Sequence, residues 1–201
     1  LLKSYMHYNT NYNNAFWDGQ RMTYGDGNGT TFTPLTAIDI TAHEIAHGLT
    51  SNTSNLVYAN ESGALNESFS DIFGVSVEAF ANNNVLNWII GEDATPNGNG
   101  IRSMSNPSAF ADPDTYLGTN YYTGTQDNGG VHTNSGVQNF WFYLLTVGGT
   151  GTNDINNAYN LSGLGIVDAA RIAFRNNTFY LTPNSDYQDA RFYAVQSAID
   201  L

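Results

Sequence analysis

The 201-residue chain contains no cysteine, so no disulfide can cross-link it and no thiol can act as nucleophile or metal ligand. Cations are nearly as scarce: 6 Lys and Arg stand against 18 Asp and Glu, for a net charge of -12. So few cations cannot neutralise a phosphate backbone or an anionic bilayer surface, and neither nucleic acid nor a membrane is expected as a partner. No apolar run approaches the ~20 residues that span a bilayer. Residue 1 is Leu rather than Met, and no basic segment leading into an apolar one follows it. The expectation is a processed product or a piece cut from a longer chain. The surplus of carboxylates leaves two readings, solubility or Ca²⁺ binding.

The length suits one domain or two closely joined lobes. The first 33 residues mix aromatics with Asn and Gly. Phe16, Trp17, Met22 and Tyr24 fall in strand-like stretches, and Gly25-Asp26-Gly27-Asn28-Gly29 reads as a turn. A helix is predicted over 37–50, with Thr36 as N-cap and Gly48 as stop signal. A second is predicted over 63–81, where Leu65, Phe69, Ile72, Phe73, Val77 and Phe80 recur at helical steps and give one apolar face. Residues 82–131 are rich in Asn, Gly, Pro and Asp with little periodicity, as in a functional or metal-supported loop. Further helices are predicted over 134–146, on the pattern Val137, Phe140, Trp141, Leu144, Leu145, then over 166–177, and over 186–199, opened by Ser185 or Asp186. Strands first and helices after define an α+β arrangement: a short β-rich N-terminal portion followed by a mainly α-helical lobe. The natural division is 1–50, carrying the first helix, and 51–201.

One motif stands above the rest, His43-Glu44-Ile45-Ala46-His47. Residues four apart share a helix face, so both imidazoles can reach one ion. Two neutral imidazoles suit zinc and leave room for a carboxylate and a water, and Glu44 can touch that water without touching the metal. With 4 His and 5 Glu in the chain, about 0.002 such matches are expected by chance. The third ligand should be a nearby Asp or Glu, or another His. The position six residues past His47 holds Thr53, and Glu67 follows twenty residues past it, on the second predicted helix. Asp71 shares a face with Glu67 and could accept a hydrogen bond from the back of a ligand imidazole.

Taken with Gly63-Ala64-Leu65-Asn66-Glu67-Ser68-Phe69-Ser70-Asp71, the motif closely resembles the thermolysin family of neutral metallopeptidases, including its vibriolysin-like members. Asn13-Asn14-Ala15-Phe16-Trp17-Asp18-Gly19, Tyr24-Gly25-Asp26-Gly27 and Asp127-Asn128-Gly129-Gly130-Val131-His132 resemble the same family, from about residue 5 onward. The resemblance implies one catalytic zinc held by His43, His47 and Glu67, with Glu44 as general base. It implies that Tyr58 and His132 hydrogen-bond the developing oxyanion and that Asp127 orients His132. Arg102 would grip a substrate carbonyl. Asn14 and the backbone of Ala15 would pair with substrate as an edge strand. Asp71 and Asn66 would support the ligand imidazoles. A pocket of Phe32, Leu35, Ile40, Ile90 and Ile101 would take a bulky apolar side chain after the cut.

The resemblance also implies one structural Ca²⁺ on Asp39, Glu78 and Glu92, completed by Asn87 or backbone oxygens, because carboxylates of two-calcium relatives are missing around Asn87, Trp88 and Ile89. The family's longer β-rich upper lobe would mostly precede residue 1. The implied protein is a secreted, monomeric zinc endopeptidase made as a zymogen. It acts on proteins or peptides, with its own pro-region or a separate N-terminal fragment as possible partner. Two other readings are a non-catalytic zinc module and a fragment inactive without the missing lobe. A non-catalytic module would be expected to lose Glu44, Tyr58 or His132, and all three are present.

Overall fold

The computed structural model describes residues 2–201; Leu1, on which the expectation of processing rests, lies outside them. The chain opens with three short strands: β1 (Ser4–Tyr5), β2 (Ala15–Trp17) and β3 (Met22–Tyr24). They form one sheet in the order β1-β3-β2, with β1 parallel and β2 antiparallel to β3. Helices α1 (Ile38–Ser51) and α2 (Asn60–Ala81) follow. Two strands, β4 (Ile89–Ile90) and β5 (Arg102–Ser103), pair antiparallel. Then come α3 (Asp127–Asn134), α4 (Gly136–Val147), the hairpin β6 (Gly148–Thr152) and β7 (Ala158–Ser162), α5 (Ile166–Arg175), a π-helical turn at Asn176–Tyr180, and α6 (Tyr187–Ile199). No helix among the described residues is long and apolar enough to cross a membrane.

Two apolar clusters organise this architecture. The larger is built around Leu65, Phe69, Ile72 and Val75 of α2, with Phe142, Ala169, Ala173 and Ala190 from the later helices. The smaller joins Ala15, Met22 and Tyr24 of the sheet to Leu35, Ile40 and Ala94. Helix α2 belongs wholly to the interior over its middle turns: Leu65, Phe69, Ile72 and Val75 are each 0% exposed, and so are Ser68, Ser70 and Asp71. Unlike a surface helix, it therefore carries polar groups inward that must be paired with something.

Several expectations need correction. Ala37, not Thr36, stands at the N-cap of α1, and no side chain caps it. Asp39 replaces that function from within the first turn, accepting from the Ile40 N–H at 2.7 Å. Gly48 does not stop the helix, which runs three residues further. Its missing Cβ leaves space for the Trp17 ring, which would lie 3.3 Å from that atom. Helix α2 begins at Asn60, earlier than predicted, and its apolar face stops short, since Val77 and Phe80 are exposed. The stretch 82–131 contains β4, β5 and two 3₁₀ turns, Glu92–Ala94 and Pro107–Phe110. On α4, Gln138, Asn139, Phe142 and Thr146 are buried, whereas Val137, Phe140, Trp141, Leu144 and Leu145 are only half-buried. The inward face is largely polar because Asn139 meets polar groups of α2 at the site described next. The predicted opening of the last helix holds: the Asp186 carboxylate accepts from the Asp189 N–H.

Candidate metal centre and cleft

His43 and His47 point from one face of α1 toward Glu67 of α2. Their Nε2 atoms are 3.0 Å apart, and each lies 3.4 Å from a Glu67 oxygen. A tetrahedral zinc with bonds of ~2.0–2.1 Å needs ligand atoms ~3.3 Å apart, so the spacing fits. The back of each ring is also held. His43 Nδ1 bonds Asp71 at 2.8 Å, and His47 Nδ1 bonds the Asn66 carboxamide oxygen at 2.8 Å, with Ser70 Oγ at 3.2 Å. Those contacts put the proton on Nδ1 and free Nε2 for a metal. Glu67 Oε2 is buried without a hydrogen-bond partner, the condition a cation would relieve.

Asp71 anchors the support. Besides His43 it accepts a forked pair from Arg102, Nε at 2.8 Å and Nη2 at 2.6 Å, and a bond from Asn139 Nδ2 at 2.8 Å. Asn139 in turn accepts from Ser68 Oγ at 2.7 Å. Neither Asn139 nor Ser70 was singled out from sequence, although Ser70 lies within the quoted block. Burial disfavours the Asp71 charge, but Arg102 and His43 overturn that and hold it well below the usual carboxylate range. Burial likewise disfavours a charged His43, yet the bonds to Asp71 and Glu67 push it up to about 10. His47 is pushed down to about 4 by burial and then by the neighbouring His43. Without an ion His43 therefore favours its charged form and His47 its neutral one, and a metal must displace the extra proton of His43.

Glu44 is 6% exposed and lines the same cleft. Burial, the largest influence, raises its carboxyl above the usual value, the direction a general base needs. Tyr58 donates its hydroxyl to Glu67 Oε1 and lies 3.2 Å from His132 Nε2. Asp127 holds His132 twice, at Nδ1 (2.7 Å) and at the backbone N–H (2.9 Å). That double grip needs a left-handed run: Asn128, Gly129 and Gly130 all have positive φ within the segment labelled α3. A Cβ on Gly129 would stand 2.3 Å from Asn60 Oδ1 and one on Gly130 2.5 Å from the Tyr122 ring, so glycine is required at both.

The cleft above these groups has a volume of about 640 Å³, well within the range of substrate sites. Asn14, Ala15, Leu35, Ile40, Ile90, Ile101 and Arg102 all line it. β2 is an edge strand, hydrogen-bonded to β3 on one side only, which leaves its other edge open to an extended peptide. Phe32 is the departure, since it packs against the small core instead of lining the cleft. Arg102 faces the cleft with Nε and Nη2 committed to Asp71, leaving Nη1 as its remaining donor group.

A second acidic group lies further along the helix pair. Oxygens of Glu78, Glu92 and Asp93 come within 4.8 Å of one another. Asp39 is buried nearby, accepting from the Gly91 N–H at 2.6 Å. Asn87 turns its NH₂ to Glu92 and its oxygen to the Ile89 N–H. Asp93 belongs to this group although sequence reasoning gave it no role. Burial, then the charges of Glu92 and Asp39, push Glu78 up to about 7.

Two adjacent helices converge two imidazoles and a carboxylate on the floor of an open cleft, a candidate metal site of the two-histidine, one-glutamate type. The chain belongs to the thermolysin metallopeptidase family: residues 1–51 match its catalytic domain and residues 54–201 its alpha-helical domain. Over its full length it is 51% identical to bacillolysin of Bacillus cereus and 48% identical to thermolysin of Alicyclobacillus acidocaldarius subsp. acidocaldarius, spanning 35% and 36% of those relatives. The precursor of protealysin, a metalloproteinase from Serratia proteamaculans, superimposes with a TM-score of 0.79 at 32% identity, covering 99% of this chain and 63% of that one. The chain thus spans about a third of the length of the curated relatives named.

Proposed function

We propose that this chain carries the catalytic centre of a secreted zinc endopeptidase. The observation that carries the reading is the trio of ligand atoms at 3.0–3.4 Å, with both imidazoles held from behind and Glu44 beside them in the cleft. His43, His47 and Glu67 would hold one zinc. When bound, that ion supplies a water acidic enough to deprotonate near neutral pH and polarises the substrate carbonyl. Glu44 takes the water's proton and returns it to the leaving nitrogen. Tyr58 and His132 donate hydrogen bonds to the oxygen on which negative charge develops. Asp127 fixes the His132 ring with its Nε2 toward that oxygen.

The exposed edge of β2 pairs with an extended substrate, and Arg102 meets a substrate carbonyl through Nη1. Leu35, Ile40, Ile90 and Ile101 form an apolar wall that favours cutting on the N-terminal side of bulky hydrophobic residues. Glu78, Glu92 and Asp93, with Asp39 close by, would hold one structural Ca²⁺. The division into 1–50 and 51–201, a monomeric state, a pro-region and an N-terminal fragment that completes the cleft all accompany this reading. The structural likeness to the precursor of protealysin favours the pro-region.

The test is casein and peptide-library cleavage by the purified chain, before and after chelation and after zinc is returned. Cleavage that disappears with chelator, returns with zinc and falls before bulky apolar residues is expected. One zinc bound per chain without any cleavage would favour the non-catalytic module or a requirement for a separate N-terminal fragment.

A further inference from the structure

A second cleft, of about 190 Å³, shares no lining residue with the first. Its apolar walls are Tyr116, Val137, Trp141 and Tyr187. Glu61 fixes that frame: one oxygen accepts from the Tyr116 hydroxyl at 2.9 Å, the other from the Tyr187 N–H at 3.1 Å. The Tyr187 hydroxyl donates to the Asn134 carbonyl at 2.6 Å. Both phenols are thus tied to the protein, and their rings, 5.6 Å apart at 62°, are left as rigid walls. Rigid aromatic walls bind with little further ordering.

Two polar groups interrupt the apolar lining. Gln138 is 5% exposed, with its Nε2 sealed from solvent and without a hydrogen-bond partner, so it serves as a wall residue. Arg191, on α6, is the other. Arg21, Arg102, Arg171 and Arg175 are each paired with an aspartate, whereas Arg191 has no ion pair among the described residues. Asp186, close by in sequence, is occupied in capping the helix. On a chain of net charge -12, an unpaired guanidinium at the mouth of an aromatic cleft is a local exception to a field that repels anions.

We propose that this cleft binds a small aryl carboxylate. The ring would lie among Tyr116, Trp141 and Tyr187, and the carboxylate would accept from the Arg191 guanidinium. The cavity of 190 Å³ exceeds the ~150 Å³ that admits benzene, which leaves room for a ring and a short acid arm. A carboxylate meets the charge of Arg191, which a neutral amide cannot do.

The three tryptophans make the test direct. Trp17 lines the main cleft, Trp88 packs in the core, and Trp141 lines this one. The intact chain is titrated with 3-phenylpropionate, and separately with 3-phenylpropionamide, while the three indole N–H resonances are followed by NMR. The expected result is a saturable shift of the Trp141 resonance with the acid at a Kd of about 1 mM and binding of the amide at least about tenfold weaker. Arg191→Ala should weaken the acid about tenfold and leave the amide unchanged. A shift confined to Trp17 would move the acid to the main cleft and overturn the proposal, as would equal binding of acid and amide or no Trp141 shift.

Discussion

Two carboxylate-bearing groups sit along one pair of helices, and the protein treats them in opposite ways. At the His43–His47–Glu67 centre every buried charge has a counterpart: Asp71 meets Arg102, His43 and Asn139, and Glu67 faces both imidazoles. At Glu78, Glu92 and Asp93 no Lys, Arg or His is paired with any carboxylate among the described residues, and burial with mutual repulsion pushes Glu78 up to about 7. The first group keeps its shape before any ion arrives. The second is a set of like charges held together by the fold. A site for chemistry needs a fixed geometry at each ligand. A site for stability can be assembled by the ion itself.

The sharpest way to break this contrast is at Glu44, which we propose belongs to the chemistry and not to the ligand set. Glu44→Gln would remove the proposed base while keeping a side chain of the same size. Turnover should fall by about 10²–10⁴, with one zinc per chain still measured by metal analysis. Activity within about tenfold of the parent, with zinc retained, would exclude the role.

Asp71→Asn probes the support behind the ligands. An amide cannot match the charge that Arg102 and His43 both meet, and Arg102 would be left buried beside a neutral group. Zinc affinity, measured by competition with a chelating dye, should drop about 10–100-fold. Affinity unchanged by the substitution would mean that the order of the imidazoles comes from α1 alone.

Much of this was written in the sequence where a single local rule sufficed. Four-residue spacing on one helix fixes His43 and His47, and the same spacing joins Glu67 to Asp71. The wall of Ile90 and Ile101 and the edge strand at Ala15 were reached by resemblance to a family, and the cleft contains them. What stayed hidden depends on contacts between distant segments. Asn139 reads as one polar residue on an apolar helix, and only the crossing of α4 over α2 shows it bonded to Asp71. The hairpin of β6 and β7 begins Gly-Gly-Thr-Gly-Thr, which has no alternation of apolar and polar residues to announce a strand. Phe32 was placed in the cleft by the same resemblance, which does not resolve that its ring turns to the small core instead.

Calcium tests the other half of the contrast. If Glu78, Glu92 and Asp93 wait for a cation, then Ca²⁺ at about 100 times its Kd should stabilise the fold by ~2.7 kcal/mol, seen as a rise in thermal midpoint that Mg²⁺ does not reproduce. Glu78→Gln relieves the repulsion in the metal-free protein and should remove most of the calcium response. A calcium shift of equal size in that variant would place the ion elsewhere.

The smallest effect concerns Asp112, a third kind of buried carboxylate, which lies close enough to feel Arg102 but has no side-chain hydrogen bond among the described residues. Burial pushes it up to about 7, and Arg102 offsets that only partly. The unfolded chain releases this proton near the ordinary value of 3.8, so between there and about pH 7 the folded state binds more protons than the unfolded one. Stability from this group therefore falls as pH rises through that window and is level above it. Asp112→Asn abolishes the slope. Relative to the parent, the variant should gain from pH 5 to pH 8 about 1 kcal/mol, allowing for screening by solvent, or about 2–4 °C in thermal midpoint. A difference between variant and parent that does not change with pH would show that Arg102 compensates Asp112 as fully as it does Asp71.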